Sequence, residues 1–210
     1  MKIKVCGMRD AGNIRRVGEL AVDFMGFIFY PPSSRFAGNG LLLPEALGNL
    51  PATVRKTGVF VSESLDTLFH YVEKYGLDIV QLHGEETPEY CCALKEKYPA
   101  VGIIKAFSIS EPTDFDRTKE YVTVCDYFLF DTKTALRGGS GKQFDWKIVE
   151  DYKGKTPFFL SGGISADDVE KIKDLKHPTF FGIDLNSRFE IAAGIKDIDL
   201  LQTFIKAIKI

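Results

Sequence analysis

The sequence predicts an α/β protein folded as a single closed (β/α)8, or TIM, barrel. Eight short runs rich in Val, Ile and Phe recur along the chain, and amphipathic stretches lie between most of them. The third observation is length: 210 residues leave about 26 for each strand-plus-helix unit. An open sheet of eight strands in so short a chain would carry two edges and a reversal point, whereas eight βα units close on themselves. One domain over residues 1–210 is expected, with 45% hydrophobic residues to fill its core.

The first strand is expected at 3–6, ending in Lys4-Val5-Cys6-Gly7, and the second at 24–29. Pro31-Pro32-Ser33-Ser34 then makes a stiff loop expected to cover the site. The third strand, 56–61, precedes a helix over 65–75, where Leu65, Leu68, Phe69 and Val72 share one face and Ser64 marks the start. The fourth, 78–82, precedes a helix over 88–98 opened by Thr87 and carrying Tyr90, Ala93 and Leu94. Strands at 102–107, 127–130, 157–160 and 179–183 complete the set. Ser165-Ala166-Asp167-Asp168 opens a helix after the seventh, its acidic residues suiting an amino end. Strand and helix are expected to alternate throughout.

Composition narrows the partners. With 27 basic and 29 acidic residues the formal charge is −2, and Lys and Glu are mixed along the chain, so no basic face for nucleic acid is expected. Cys6, Cys91, Cys92 and Cys125 show neither metal spacing nor a disulfide framework and read as reduced intracellular thiols. The first residues lead straight into a strand, and no run approaches membrane-spanning length; a cytoplasmic protein without membrane partners is expected. No long exposed apolar helix announces an interface, which favours a monomer.

Residues able to do chemistry collect at the carboxyl ends of the strands, where barrel active sites form. Cys6 follows the first strand and Asp131 the sixth, a thiol and a carboxylate fit to be base and acid. A lone Cys is also a small buried hydrophobe, and an Asp after a strand also a helix cap. Arg35, His83, Gly162, Gly163 and Asp184 fall at other strand ends. Ser161-Gly162-Gly163-Ile164 and Asp184-Leu185-Asn186-Ser187 follow the seventh and eighth strands, so their turns meet side by side and offer N–H groups to an anion. A tight turn needing positive φ accounts for Gly162-Gly163 as well. Gly138-Gly139-Ser140-Gly141, just beyond Asp131, fits a lid.

Taken in order, eight segments resemble the phosphoribosylanthranilate isomerases over nearly the whole chain. They are Lys4-Val5-Cys6-Gly7, Gly26-Phe27-Ile28-Phe29 with Ser33-Ser34-Arg35, Gly58-Val59-Phe60-Val61, Gln81-Leu82-His83-Gly84, Phe130-Asp131-Thr132, Gly138-Gly139-Ser140-Gly141 with Phe144-Asp145-Trp146, Ser161-Gly162-Gly163, and Asp184-Leu185-Asn186-Ser187. The resemblance implies an Amadori rearrangement of N-(5-phosphoribosyl)anthranilate to 1-(2-carboxyphenylamino)-1-deoxyribulose 5-phosphate, the third step of the tryptophan branch from chorismate. It implies no cofactor, no metal and a small phosphorylated substrate as partner.

By the family's pattern Asp131 is the general acid that protonates the furanose ring oxygen, and Cys6 the general base that takes the proton from C2. Arg35 holds the anthranilate carboxylate, Asp184 contacts the sugar hydroxyls, His83 lines the cavity, and Gly162, Gly163, Asn186 and Ser187 bind phosphate. A free thiol ionises near pH ~8.5, so Cys6 must be shifted down or have its thiolate stabilised; a carboxyl near ~3.9 must hold its proton longer to act as an acid. Arg35 as a solvated loop arginine and His83 as a satisfied core histidine are the competing readings. Gln81 can complete a polar layer, and Trp146 anchors a short helix after the lid.

The match departs from the family where Ser187 is followed by Arg188-Phe189-Glu190, since the family usually continues Ser-Gly-Val-Glu. Arginine does not readily take positive φ, so either the turn is differently shaped or the glycine is not needed for its dihedrals. Arg188 either touches phosphate or points into solvent. Ser161 stands where Ala is usual. Other readings have their own demands. A metal-dependent epimerase needs clustered histidines, and of His70, His83 and His177 only His83 is at a strand end; an aldolase needs a Schiff-base lysine, for which Lys105 is the candidate. A catalytically silent phosphoribosyl-ligand binder is suggested by Arg188-Phe189 alone.

Overall fold

Eight apolar runs pair edge to edge in chain order, and the last closes on the first. The computed structural model describes residues 1–38, 40–131 and 146–209. The strands are β1 (Lys2–Val5), β2 (Phe24–Ile28), β3 (Arg55–Phe60), β4 (Ile79–Leu82), β5 (Gly102–Ser108), β6 (Tyr127–Asp131), β7 (Phe158–Ser161) and β8 (Phe180–Leu185). All neighbours are parallel, and β1 joins β8 with Lys4 opposite Asp184. The barrel expected from the sequence is therefore the fold.

Alternation along each strand sorts side chains between two cores. Phe24, Ile79, Ile104, Leu129 and Phe159 point inward and form one cluster with Tyr127 and Phe181. The rings of Phe24 and Phe159, from β2 and β7, meet edge-on at 5.2 Å, which is possible only across the barrel interior. The intervening residues, such as Val5, Phe27, Phe60, Phe128 and Phe158, pack outward in the second, larger cluster against the helices. This filled interior makes the barrel a floor on which polar side chains can stand at the carboxyl ends of the strands.

The helices are α1 (Ala11–Gly18), α2 (Glu45–Gly48), α3 (Leu65–Tyr75), α4 (Pro88–Lys97), α5 (Val169–Asp174) and α6 (Ile198–Lys209). Ser64 and Thr87 cap α3 and α4 by accepting the amide hydrogens of Thr67 and Tyr90, and Gly76 ends α3 at φ +55°. Regular alternation fails in two connections. Between β5 and β6 the chain forms a 3-10 stretch, Pro112–Tyr121, because Phe115, Thr118 and Tyr121 recur every three residues and turn one face inward at three residues per turn. Between β6 and β7 the described helix is the 3-10 turn Trp146–Asp151, with Trp146 buried as its anchor. Ser165 starts a 3-10 turn, Ala166–Asp168, that leads into α5.

An antiparallel hairpin of β9 (Glu190–Ala192) and β10 (Ile195–Lys196), absent from the sequence reading, follows a 3-10 turn at Ser187–Phe189. The glycine loop 138–141, Thr132, Phe144 and Asp145 lie outside the described residues. Cys6, Cys91, Cys92 and Cys125 are all free thiols, with Cys91 and Cys125 Sγ atoms 3.9 Å apart. Among the described residues no helix is long and apolar enough to cross a membrane.

Candidate active site

Cys6, Arg35, His83, Asp131, Gly162, Gly163, Asp184, Asn186 and Ser187 all line one cavity of about 430 Å³ over the carboxyl ends of the strands. Cys6 directly follows β1 and its amide donates to the Leu185 carbonyl at 2.9 Å, which ties the thiol to the β1–β8 seam. It is 3% exposed. Gly26 on β2 leaves room for it: a Cβ there would stand 2.7 Å from Sγ. Asp131 is the last residue of β6 and equally buried.

Lys4 lies two residues before Cys6, on the same inward face of β1, and is wholly buried. Its ammonium donates to Asp184 Oδ1 at 2.8 Å. Burial pushes the Cys6 thiol above its ordinary range, and Lys4 pulls against this by its charge and a hydrogen bond to the sulfur. The thiol is thus not shifted down, and the Lys4 charge offsets the burial only in part. Burial also disfavours the Lys4 ammonium, yet Asp184 and Cys6 more than offset it and hold its proton on. Period two along β1 would have pointed to Lys4, because a lysine at i−2 shares the face of the cysteine.

His83 follows β4 with its Nδ1 3.1 Å from the Gln81 side-chain nitrogen. Its Nε2 lies 3.8 Å from Asp131 Oδ2. The polar layer expected at Gln81 is thus a support for His83, and His83 faces the cavity rather than the core.

Gly162 and Gly163 have φ of +108° and +71°, so the turn after β7 needs glycine for its backbone and borders the cavity as well. Ser165 donates from both its amide and its hydroxyl to Asp168 Oδ2, at 2.9 and 2.7 Å, fixing the turn's far side. Arg188 sits in the 3-10 turn without positive φ; it is exposed and outside the lining. The family's glycine is not required for the dihedrals here.

Arg35 is no solvated loop arginine. Its Nε and Nη2 grip Glu190 at 2.6 to 3.0 Å, and its stem crosses Gly7, where a Cβ would come within 2.6 Å of Arg35 Cδ. Gly7 has φ +79° and so is glycine on both counts. Glu190 and its second partner, Lys196, carried no local signal, since their roles depend on a hairpin too short to read.

The competing chemistries find less. Lys105 is 3% exposed, donates to the Gly84 carbonyl at 2.6 Å and to Glu86 at 3.0 Å, and borders a neighbouring cavity of about 400 Å³ rather than the one with Cys6. His177 is bonded to the Tyr152 carbonyl and to Thr179. Among the described residues no three His, Cys, Asp or Glu side chains group as metal ligands would.

A family model for N-(5'-phosphoribosyl)anthranilate isomerase matches residues 3–207. The chain belongs to the phosphoribosylanthranilate isomerase family. A curated member from Parabacteroides distasonis is 48% identical over 208 residues, covering 99% of this chain and 93% of the relative. The crystal structure of the Thermotoga maritima phosphoribosylanthranilate isomerase matches with a TM-score of 0.85 at 33% identity, over 100% of this chain and 98% of that one. A further isomerase structure, in complex with reduced 1-(o-carboxyphenylamino)-1-deoxyribulose 5-phosphate, matches with a TM-score of 0.83 at 29% identity, over 100% and 98%. The family expectation drawn from the ordered motifs stands.

Proposed function

We propose that the chain converts N-(5-phosphoribosyl)anthranilate to 1-(2-carboxyphenylamino)-1-deoxyribulose 5-phosphate in tryptophan biosynthesis, with Asp131 as general acid and Cys6 as general base. The observation that carries this is the meeting of a buried thiol and a buried carboxyl in one cavity with a glycine turn and an arginine.

Asp131 gives its proton to the furanose ring oxygen as the C1–O bond breaks, and the anthranilate nitrogen's lone pair forms the C1=N bond of a protonated Schiff base. Cys6 then removes the C2 proton, and the electrons of that bond flow to nitrogen to give an enolamine. The enol becomes the C2 ketone as C1 gains a proton and the C2 hydroxyl gives one up, so that this tautomerisation is neutral in protons. Lys4 favours by its charge the thiolate form that Cys6 must hold before it takes the C2 proton, the kind of fixed electrostatic support that a dry site makes effective.

Gly162, Gly163, Asn186 and Ser187 hold the phosphate, Asp184 the sugar hydroxyls and Arg35 the anthranilate carboxylate, while His83, oriented by Gln81, faces Asp131. The donors suit these ligands: a guanidinium edge matches a carboxylate, and main-chain amides at a glycine turn suit a phosphate. The reaction needs neither cofactor nor metal in this reading. In this reading residues 1–210 act as one cytoplasmic domain and as a monomer.

The test is the loss of freshly generated N-(5-phosphoribosyl)anthranilate, followed by its fluorescence, with purified protein and a chelator. Rapid loss is expected. Loss no faster than without protein would overturn the reading.

A further inference from the structure

The hairpin after β8 is short, and one glutamate from it is driven into the mouth of the barrel. Glu190 has a side chain 4% exposed and three kinds of donor around it. Arg35 gives Nε and Nη2, Lys196 gives Nζ at 2.7 Å, and Gly194 gives its amide at 3.1 Å. The same Lys196 ammonium donates to Asn186 Oδ1 at 2.9 Å. Asn13, buried on α1, then brackets the Lys196 peptide, donating to its carbonyl at 2.9 Å and accepting from its amide at 2.8 Å. The hairpin, β2's loop and the turn after β8 are thus locked through one buried carboxylate.

Burying a Glu–Lys pair is costly, and an apolar contact would hold a hairpin at least as well. What the charged pair adds is control of Arg35 and Asn186, both of which line the cavity. A guanidinium has a side edge, Nε with Nη2, and an end edge, Nη1 with Nη2. Glu190 takes the side edge, so the end edge is the one Arg35 has to offer a ligand.

We propose that Glu190 and Lys196 are positioning residues for substrate selection: the hairpin turns the end edge of Arg35 into the cavity and so sets the preference for an aromatic amine bearing a carboxylate. This rests on reading Arg35 as the partner of that carboxylate. The hairpin selects the ligand without touching it.

Titration calorimetry with two ligands tests this. One is the reduced product analogue, and the other its phenylamino counterpart lacking the carboxylate. The protein should bind the carboxylated ligand about 10- to 100-fold more tightly, the usual worth of a charge-assisted pair. Glu190→Gln, which leaves Lys196 on Asn186, should cut that ratio about tenfold, with the phenylamino ligand affected less than about threefold. Glu190→Asp keeps the charge but draws it back from Arg35, and should lower the ratio in the same sense. An unchanged ratio in either variant, or equal loss for both ligands, overturns the proposal. Arg35→Gln separates the two levels. If it abolishes the preference while the hairpin variants keep it, only the positioning role falls; if it leaves the preference intact, the reading of Arg35 falls and the proposal with it.

Discussion

Gly26→Ala is the smallest change that should separate folding from chemistry. The added methyl carbon would sit 2.7 Å from Cys6 Sγ, 3.1 Å from its Cα and 3.2 Å from its Cβ. Ordinary contacts between such atoms lie near ~3.5–4.0 Å, so the thiol must retreat by about 1 Å or change rotamer. The backbone contact leaves little room for β1 to yield instead. Overpacking of this kind costs about 1–3 kcal/mol, or ~2–12 °C in Tm for a chain of this size. A misplacement of ~1 Å at a reacting group costs about 100-fold in rate. Steady-state kinetics should show kcat down by about that factor with KM little changed, since the carboxylate, sugar and phosphate contacts are elsewhere. A melting curve checks that the variant is folded. Normal kcat in a folded Gly26→Ala would refute the reasoning, because a displaced Cys6 could not then be the base.

Other outcomes follow from the same geometry. Because burial raises Cys6 above the ordinary thiol range, peptide-resolved labelling with iodoacetamide at pH 7.5 should be slower at Cys6 than for a small thiol and should climb as the pH rises; Lys4→Met should slow it further at each pH, and equal rates in the two proteins would contradict the role of Lys4. Despite burial, the Ser165 and Lys171 bonds hold the Asp168 carboxyl below its ordinary 3.8, and those of Arg35 and Lys196 hold Glu190 below 4.5. Depressed values mean stability that is present above pH ~4.5 and is lost as pH falls through the folded-state values, so urea midpoints should drop below pH 4, less steeply in Asp168→Asn. Equal slopes would remove the Asp168 contribution. Arg188→Gly should alter KM by no more than about twofold, as for an ordinary surface change; a large rise in KM would mean that Arg188 touches the phosphate.

The barrel was legible because its strands are buried on both faces and read as continuous Val, Ile and Phe runs, so 102–107 and 127–130 emerge within a residue of β5 and β6. The helix at 65–75 was legible because Ser64 and Gly76 bound an apolar face of helical period. The stretch 112–121 also has a period, but of three rather than 3.6, so it shows no α-helical face. At the site, the candidate residues were legible from their places at strand ends together with the order of the family's motifs, since barrel geometry turns those places into proximity. Lys4 escaped because it is inside a strand and reads as solvated charge until its partner Asp184, far along the chain, is brought opposite. Glu190 and Lys196 escaped for the same reason: a buried ion pair is a long-range fact, and the hairpin that creates it has strands of three and two residues.

The assignment of Cys6 and Asp131 is tested most directly by turnover of N-(5-phosphoribosyl)anthranilate in Cys6→Ser and Asp131→Asn, each shown to be folded and to bind the reduced product analogue. Loss of a general acid or base costs about 10²–10⁴-fold, so kcat should fall by at least about 100-fold in both while analogue binding persists. Near-normal turnover in either folded variant would contradict the account.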